Sequence, residues 1–209
     1  MPMFKSICVV GGTENEKNTE FRSAAVDLGK AIAVRKINLV YGGGVRGLQG
    51  YVAVSAIKKG GGVLSISLQD GNTSNITCGV EMKAHTVFER FSAMFAHASA
   101  FIALPGGLET LEQIVALTFW AHKNVPQKFI GLLNVNGFYD HFLYFLDHAV
   151  EQKFMPQSMR RIIEFAPTAE QLFEKWQHPL FENTLNSRQG ALRIDDSEND
   201  DEPDTTLRL

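Results

Sequence analysis

An α/β fold with a mostly parallel sheet covered by helices on both faces is predicted from three observations. Short apolar, β-branched runs alternate with stretches of helical periodicity, which is the pattern of successive βαβ units. Two of the strand-to-helix junctions are glycine-rich. The 209 residues, 44% of them hydrophobic, suffice for one sizeable core and are too few for two ordinary catalytic domains with a linker.

Residues 7–10 open the sheet as an apolar run. Phe21, Ala25, Leu28 and Ile32 then recur at helical spacing behind Asn18 or Thr19, either of which can cap the helix. Residues 37–41 read as a buried strand ending in the glycine loop 42–47, and a small-residue helix follows to Lys59. Gly60 to Gly62 stop that helix, and residues 63–68 form the next strand. The stretch 69–79 is polar and turn-rich, a surface loop by composition. Residues 89–98 read as helix, 100–104 as strand, 110–122 as helix, 129–135 as strand, 138–152 as a helix rich in Phe and Leu, and 168–176 as a last short helix. One domain is therefore expected over residues 1–186. From 187 to 209 the chain turns polar and acidic, and that tail is expected to be disordered.

Composition excludes several functional classes. A formal charge of −3 removes the broad attraction on which nucleic-acid or anionic-membrane binding depends, so a small anionic ligand fits better. Two cysteines, Cys8 and Cys78, make neither a disulfide framework nor a thiolate cluster. His85, His97, His122, His141, His148 and His178 form no compact ligand pair, and no metal is expected. The start of the chain lacks a basic-then-apolar leader, and no apolar run reaches membrane-spanning length. The expected location is the cytoplasm, with the nucleus as a second compartment.

The loop Gly42-Gly43-Gly44-Val45-Arg46-Gly47-Leu48-Gln49-Gly50 joins a strand to a helix, where bare backbone N–H groups and the helix dipole favour an anion. It also satisfies the G-x-G-x-x-G pattern, with Asp70 near the distance of a ribose-binding acid. A dinucleotide-dependent oxidoreductase would need a substrate domain for which the chain has no room. A purely structural role for these glycines, as turn and packing residues, stays open. A second loop, Leu104-Pro105-Gly106-Gly107-Leu108-Glu109-Thr110-Leu111-Glu112, repeats the arrangement after another strand, and strand ends in such sheets share one crevice. Thr110 with Gln113 reads as a capping box that starts the helix near Thr110 and puts Glu112 in its first turn.

Arg90, Met94, the run 100–107, Thr110, Glu112, Trp120 and the run Gly131-Leu132-Leu133-Asn134-Val135 with Gly137 and Tyr139 resemble the Lonely Guy family, which also carries an old lysine-decarboxylase label. The likeness runs from about Ser6 to about Trp176. It implies a homodimeric, Rossmann-like doubly wound fold that hydrolyses the N-glycosidic bond of cytokinin riboside 5′-monophosphates, and often of AMP, to free base and ribose 5-phosphate. It implies Glu112 and Arg90 as catalytic residues. Around the substrate it implies Gly43, Gly44, Gly47, Asn75, Phe91, Gly106, Gly107, Leu108, Glu109, Thr110, Leu111, Gln113 and Phe119. No cofactor is needed, because a carboxylate beside the anomeric carbon can stabilise an oxocarbenium-like state and a guanidinium can hold phosphate or ribose. For decarboxylation, His122-Lys123 is only a faint echo of a pyridoxal-lysine pair.

Four positions depart from the family pattern. Phe91 stands where a lysine follows the arginine, Glu109 where the motif has its last glycine, Phe119 where a threonine precedes the tryptophan, and Asn75 where an acidic residue is usual. Two readings of Glu109 follow. Either it points outward and another group such as Arg46 supplies charge, or it fills the anion site and the chain is a catalytically impaired, nucleotide-binding or dimerising paralogue.

Overall fold

Among the described residues, backbone hydrogen bonding produces seven strands: β1 Ser6–Val10, β2 Asn38–Tyr41, β3 Val63–Leu68, β4 Val80–Ala84, β5 Ala100–Ala103, β6 Phe129–Leu133 and β7 Ile163–Ala166. In this computed structural model, residues 4–13, 18–69, 77–123 and 128–177 are described. The sheet order is β4-β3-β2-β1-β5-β6-β7, and each of the six pairings is parallel. β1, β2 and β5 are almost wholly buried, as strands covered on both faces must be, which is why they read as continuous apolar runs.

The intervening helices are α1 Thr19–Val34, α2 Gly47–Lys58, α3 Val87–His97, α4 Leu108–Lys123, α5 Asp140–Glu151, α6 Gln157–Arg160 and α7 Ala169–Gln177. One face of the sheet packs α1, α2 and α7 around Leu28, Ile32, Tyr41, Val52 and Trp176. The other packs α3, α4 and α5 around Met94, Phe101, Ile114, Leu117 and Leu143. Asn18 caps α1, its side chain accepting from the Glu20 amide at 2.9 Å.

Two strands were not expected from sequence. β4 lies at one edge and exposes Val80, Glu81 and Lys83, with only Met82 partly covered and Ala84 buried, so it has little apolar patterning. β7, at the other edge, is only four residues long. The capping box also sits elsewhere than predicted. Thr86 accepts from the Glu89 amide at 3.0 Å, and the Glu89 carboxylate reaches back to the His85 amide at 2.7 Å, which starts α3 at Val87. In contrast, α4 starts at Leu108. Its first turn closes from the Leu111 amide to the Gly107 carbonyl at 3.1 Å, so Thr110 is inside the helix and Glu112 is in the second turn.

The sheet order positions everything that follows. The chain steps from β1 through β2 and β3 to β4 on one side, then returns to place β5 on the other side of β1. In open α/β sheets that reversal leaves a crevice beyond the strands' carboxyl ends, where ligands bind.

Candidate active site

Three loops meet at that crevice. The Gly12 amide donates to the Pro105 carbonyl at 2.9 Å, and the Gly12 carbonyl accepts from the Leu48 amide at 2.9 Å. The turn after β1 thus ties the two predicted glycine loops together. Gly11 and Gly12 were missed in the sequence, although a glycine pair directly after a buried strand was the available signal. Gly43 and Gly44 adopt φ of +88° and +81°, a left-handed conformation that side chains resist. A Cβ at Gly44 or at Gly107 would meet nothing within 4 Å, so at both positions backbone is open to a ligand. Gly47 and Gly106 instead are packed, against Gly12 and Thr13 and against Thr110 and Gly12 respectively. Tyr139 anchors the second loop from beneath, its buried hydroxyl donating to the Leu104 carbonyl at 2.6 Å. Burial pushes the Tyr139 phenol well up from its ordinary value.

Beside these loops, α3 and α4 enclose a pocket of about 400 Å³, within the range of small-molecule sites. Helical spacing explains its lining. On α4, Glu109, Glu112, Gln113, Ala116 and Trp120 fall on one face at intervals of three and four. On α3, Val87, Phe88, Arg90, Phe91 and Met94 face them. From Glu109 to Trp120 the wall runs about 16 Å at the helical rise. One end carries Glu109, in the first turn of α4, and the other is closed by aromatic rings. Phe91 meets Trp120 edge-on at 5.0 Å, and Phe88 and Phe95 meet the same indole at 6.2 and 5.2 Å.

Arg90 is fixed from behind. Its Nε donates to the Ile66 carbonyl at 3.0 Å and its Nη2 to the Gly42 carbonyl at 3.2 Å; these bonds use two of its five N–H groups, and the residue lines the pocket. A Cβ at Gly42 would collide with this guanidinium. Among the described residues that line the pocket, Arg90 is the cation and Glu109 and Glu112 are the carboxylates.

The structure places the other sequence-predicted residues as follows. Glu109 is exposed and is among the residues lining the pocket. It follows α4 toward Gln113, whose Nε2 donates to Oε1 at 3.4 Å, and the space at Gly107 stays open. Arg46 is exposed at the start of α2 and is not part of the lining. Phe91 forms a wall of the pocket, whereas Phe119, 52% exposed, lies outside the lining. Leu108 is exposed, and Leu111 packs toward the core. Asn75 and Asp70 lie outside the described residues. His122 and Lys123 occupy the last turn of α4, at the opposite end from Glu109. Among the described residues no group of three or more His, Cys, Asp or Glu side chains could hold a metal ion, and no helix is long and apolar enough to cross a membrane. Cys8 is a core side chain, its thiol pushed up to about 12 by burial.

A wholly parallel sheet with glycine loops at its switch point, and a charged and aromatic pocket beside them, defines a Rossmann-like doubly wound protein with a built crevice. Two solved structures share that fold: the molybdenum cofactor binding protein of Rippkaea orientalis (TM-score 0.61, 22% identity, 83% of this chain and 96% of that one) and the Moco carrier protein of Chlamydomonas reinhardtii (TM-score 0.59, 19% identity, 81% and 97%). Residues 49–176 match the family model described as "Possible lysine decarboxylase". Over 176 residues the chain is 43% identical to a probable cytokinin riboside 5′-monophosphate phosphoribohydrolase of Arabidopsis thaliana, covering 82% of this chain and 87% of the relative. It is also 43% identical, over 82% of its own length and 72% of the relative's, to a cytokinin riboside 5′-monophosphate phosphoribohydrolase of Oryza sativa subsp. japonica. The chain belongs to the Lonely Guy family.

Proposed function

We propose that this protein hydrolyses the N-glycosidic bond of cytokinin riboside 5′-monophosphates, with AMP as a further substrate, to free base and ribose 5-phosphate. The observation that carries the reading is that Arg90 and Glu112 line one pocket, and that Arg90 at the same time bonds the Gly42 carbonyl of the first glycine loop. The phosphate is placed against the glycine loops, where N–H groups and the start of α4 favour an anion. The base extends toward Phe91 and Trp120. As the bond from C1′ to the base nitrogen lengthens, positive charge builds on the ribose, and the Glu112 carboxylate stabilises it and orients the attacking water. Water oxygen bonds to C1′, and its proton leaves with the departing base. Arg90, held by two backbone carbonyls, fixes the phosphoribosyl group so that C1′ meets the water. Neither role calls for a metal or a cofactor.

The test is direct. Purified protein incubated with isopentenyladenine riboside 5′-monophosphate, AMP and the unphosphorylated riboside is expected to release base from the two monophosphates and not from the riboside, as read by chromatography. No release from any of the three overturns the proposal. A charged monophosphate does not cross a bilayer unaided, so the reading places the enzyme in the cytoplasm with its substrate.

Glu109 sets an affinity rather than a block. Its carboxylate sits in the first turn of α4, where it offsets the dipole that attracts phosphate. Glu109→Gly is expected to lower KM for the monophosphate about two- to fivefold, with kcat little changed. Steady-state kinetics check this, and an unchanged KM means the carboxylate does not sense the phosphate.

The proposal includes a homodimer. Leu108, Val115 and Phe119, 85%, 55% and 52% exposed, form an apolar stripe at helical spacing on α4, next to the pocket-lining face. A second copy covering that stripe gives Phe119 a packing role where substrate contact was expected. Sedimentation velocity should show a dimer for the native protein and a monomer for Phe119→Asp.

A further inference from the structure

From the buried carboxamide that links two of the loops, we infer that Gln49 is a positioning residue, clamping the carboxyl ends of β1 and β2 so that Gly42 holds Arg90 in its working orientation. The inference rests on the reading of Arg90 given above. Gln49 lies in the first turn of α2 and is 4% exposed, and a polar side chain so buried needs its partners. Its Nε2 donates to the Gly11 carbonyl at 2.8 Å, and its Oε1 accepts from the Gly42 amide at 3.3 Å. Both ends of the carboxamide are therefore spent on backbone, one on the loop after β1 and one on the loop after β2.

Gly42 carries the effect onward. Its amide is held by Gln49, while its carbonyl accepts from Arg90 Nη2 at 3.2 Å. The peptide planes on either side of Gly42 are thus fixed from two directions, with Arg90 Nε on the Ile66 carbonyl of β3 as the third point. A guanidinium held at two of its edges presents the rest of its fork at a fixed angle. If Gln49 is removed, the part-buried Gly42 N–H and the buried Gly11 carbonyl lose this partner, the loop shifts to satisfy them, and the acceptor for Nη2 moves. Arg90 then keeps its charge and loses its aim. Binding survives that change better than turnover does, because turnover depends on the angle at which C1′ meets water.

The experiment is a double-mutant cycle with Gln49→Leu, which keeps the volume of the side chain, alongside Gln49→Ala, Arg90→Ala and the double variants, each assayed for base release from AMP and for thermal midpoint. Gln49→Leu is expected to lower kcat about ten- to a hundredfold, with KM for AMP changed less than about threefold. In the Arg90→Ala background the same change is expected to cost less than about twofold, since there is no longer a guanidinium to aim. Equal losses in both backgrounds, or a fall in thermal midpoint with kcat intact, overturn the inference and leave Gln49 a structural residue. If the native protein releases no base at all, the proposed activity falls instead. The clamp is then decided by the Arg90 Nε–H resonance: faster solvent exchange in Gln49→Leu supports it, and unchanged exchange overturns it.

Discussion

Glu112→Gln is expected to reduce kcat for base release from a nucleoside 5′-monophosphate by about a thousandfold, the scale seen when one preorganised electrostatic group is removed from a transition-state site. The substitution keeps shape and hydrogen-bonding capacity and removes the charge. Glu112 sits in the second turn of α4, exposed within the pocket, so the amide has room and the fold should tolerate it. In the proposed reaction the charge acts only as the ribose becomes cationic, and KM should therefore stay within about threefold of the native value. Single-turnover assays and a thermal midpoint within a degree or two of native would together separate lost chemistry from lost structure. Retention of most of the native kcat would remove Glu112 from the reaction, whatever the pocket's shape.

How much of this site could be read from sequence depends on whether the determining signal is local. The strands β1, β2 and β5 are buried on both faces, so their apolar runs stand out. The loops after β2 and β5 declare themselves by their glycines. Arg90 and Glu112 were legible through the resemblance, and their facing positions follow from the three-and-four spacing along α3 and α4. Other features depend on neighbours far away in the chain. β4 and β7 exist because the sheet extends to them, and an edge strand with one wet face has weak apolar patterning of its own. The start of α4 was misplaced because Thr110 and Gln113 mimic a capping box. In the fold, the Gly107 carbonyl closes the first turn and Thr110 is buried against Gly106. Gln49 carries no local signal of its role, since nothing in a glycine loop marks one side chain as a buried carboxamide. Its partners, Gly11 and Gly42, lie on two different strand ends. For Glu109 the sequence left two readings, outward or over the glycine loop, and the contact it makes, with the side chain of Gln113 four residues on, has no signal in the glycine motif itself.

Arg90→Ala is expected to act on both binding and turnover, which distinguishes it from Glu112→Gln. The guanidinium is half-buried, held by the Ile66 and Gly42 carbonyls, and is the cation among the described residues lining the pocket. Its removal deletes the charge that offsets Glu109 and Glu112, so the pocket becomes purely anionic along its charged wall. A dianionic phosphate then meets repulsion where it met a partner. Charge-assisted bonds of this kind contribute roughly 1.5–3 kcal/mol, or about ten- to a hundredfold in KM, and misplacement of C1′ adds a further loss in kcat of about a hundredfold. The two together put kcat/KM about three to four decades below native. Arg90→Lys should recover little, because an ammonium cannot hold two carbonyls and still present a planar fork to the substrate. Two carbonyls lose their donor in the alanine variant, so some stability is lost as well, and urea denaturation should register about 1–3 kcal/mol. A variant that lost only stability, with kcat/KM near native, would make Arg90 a tie between β2, β3 and α3 and nothing more. A loss confined to KM would leave it a phosphate anchor, with the orientation of C1′ owed to the glycine loops alone.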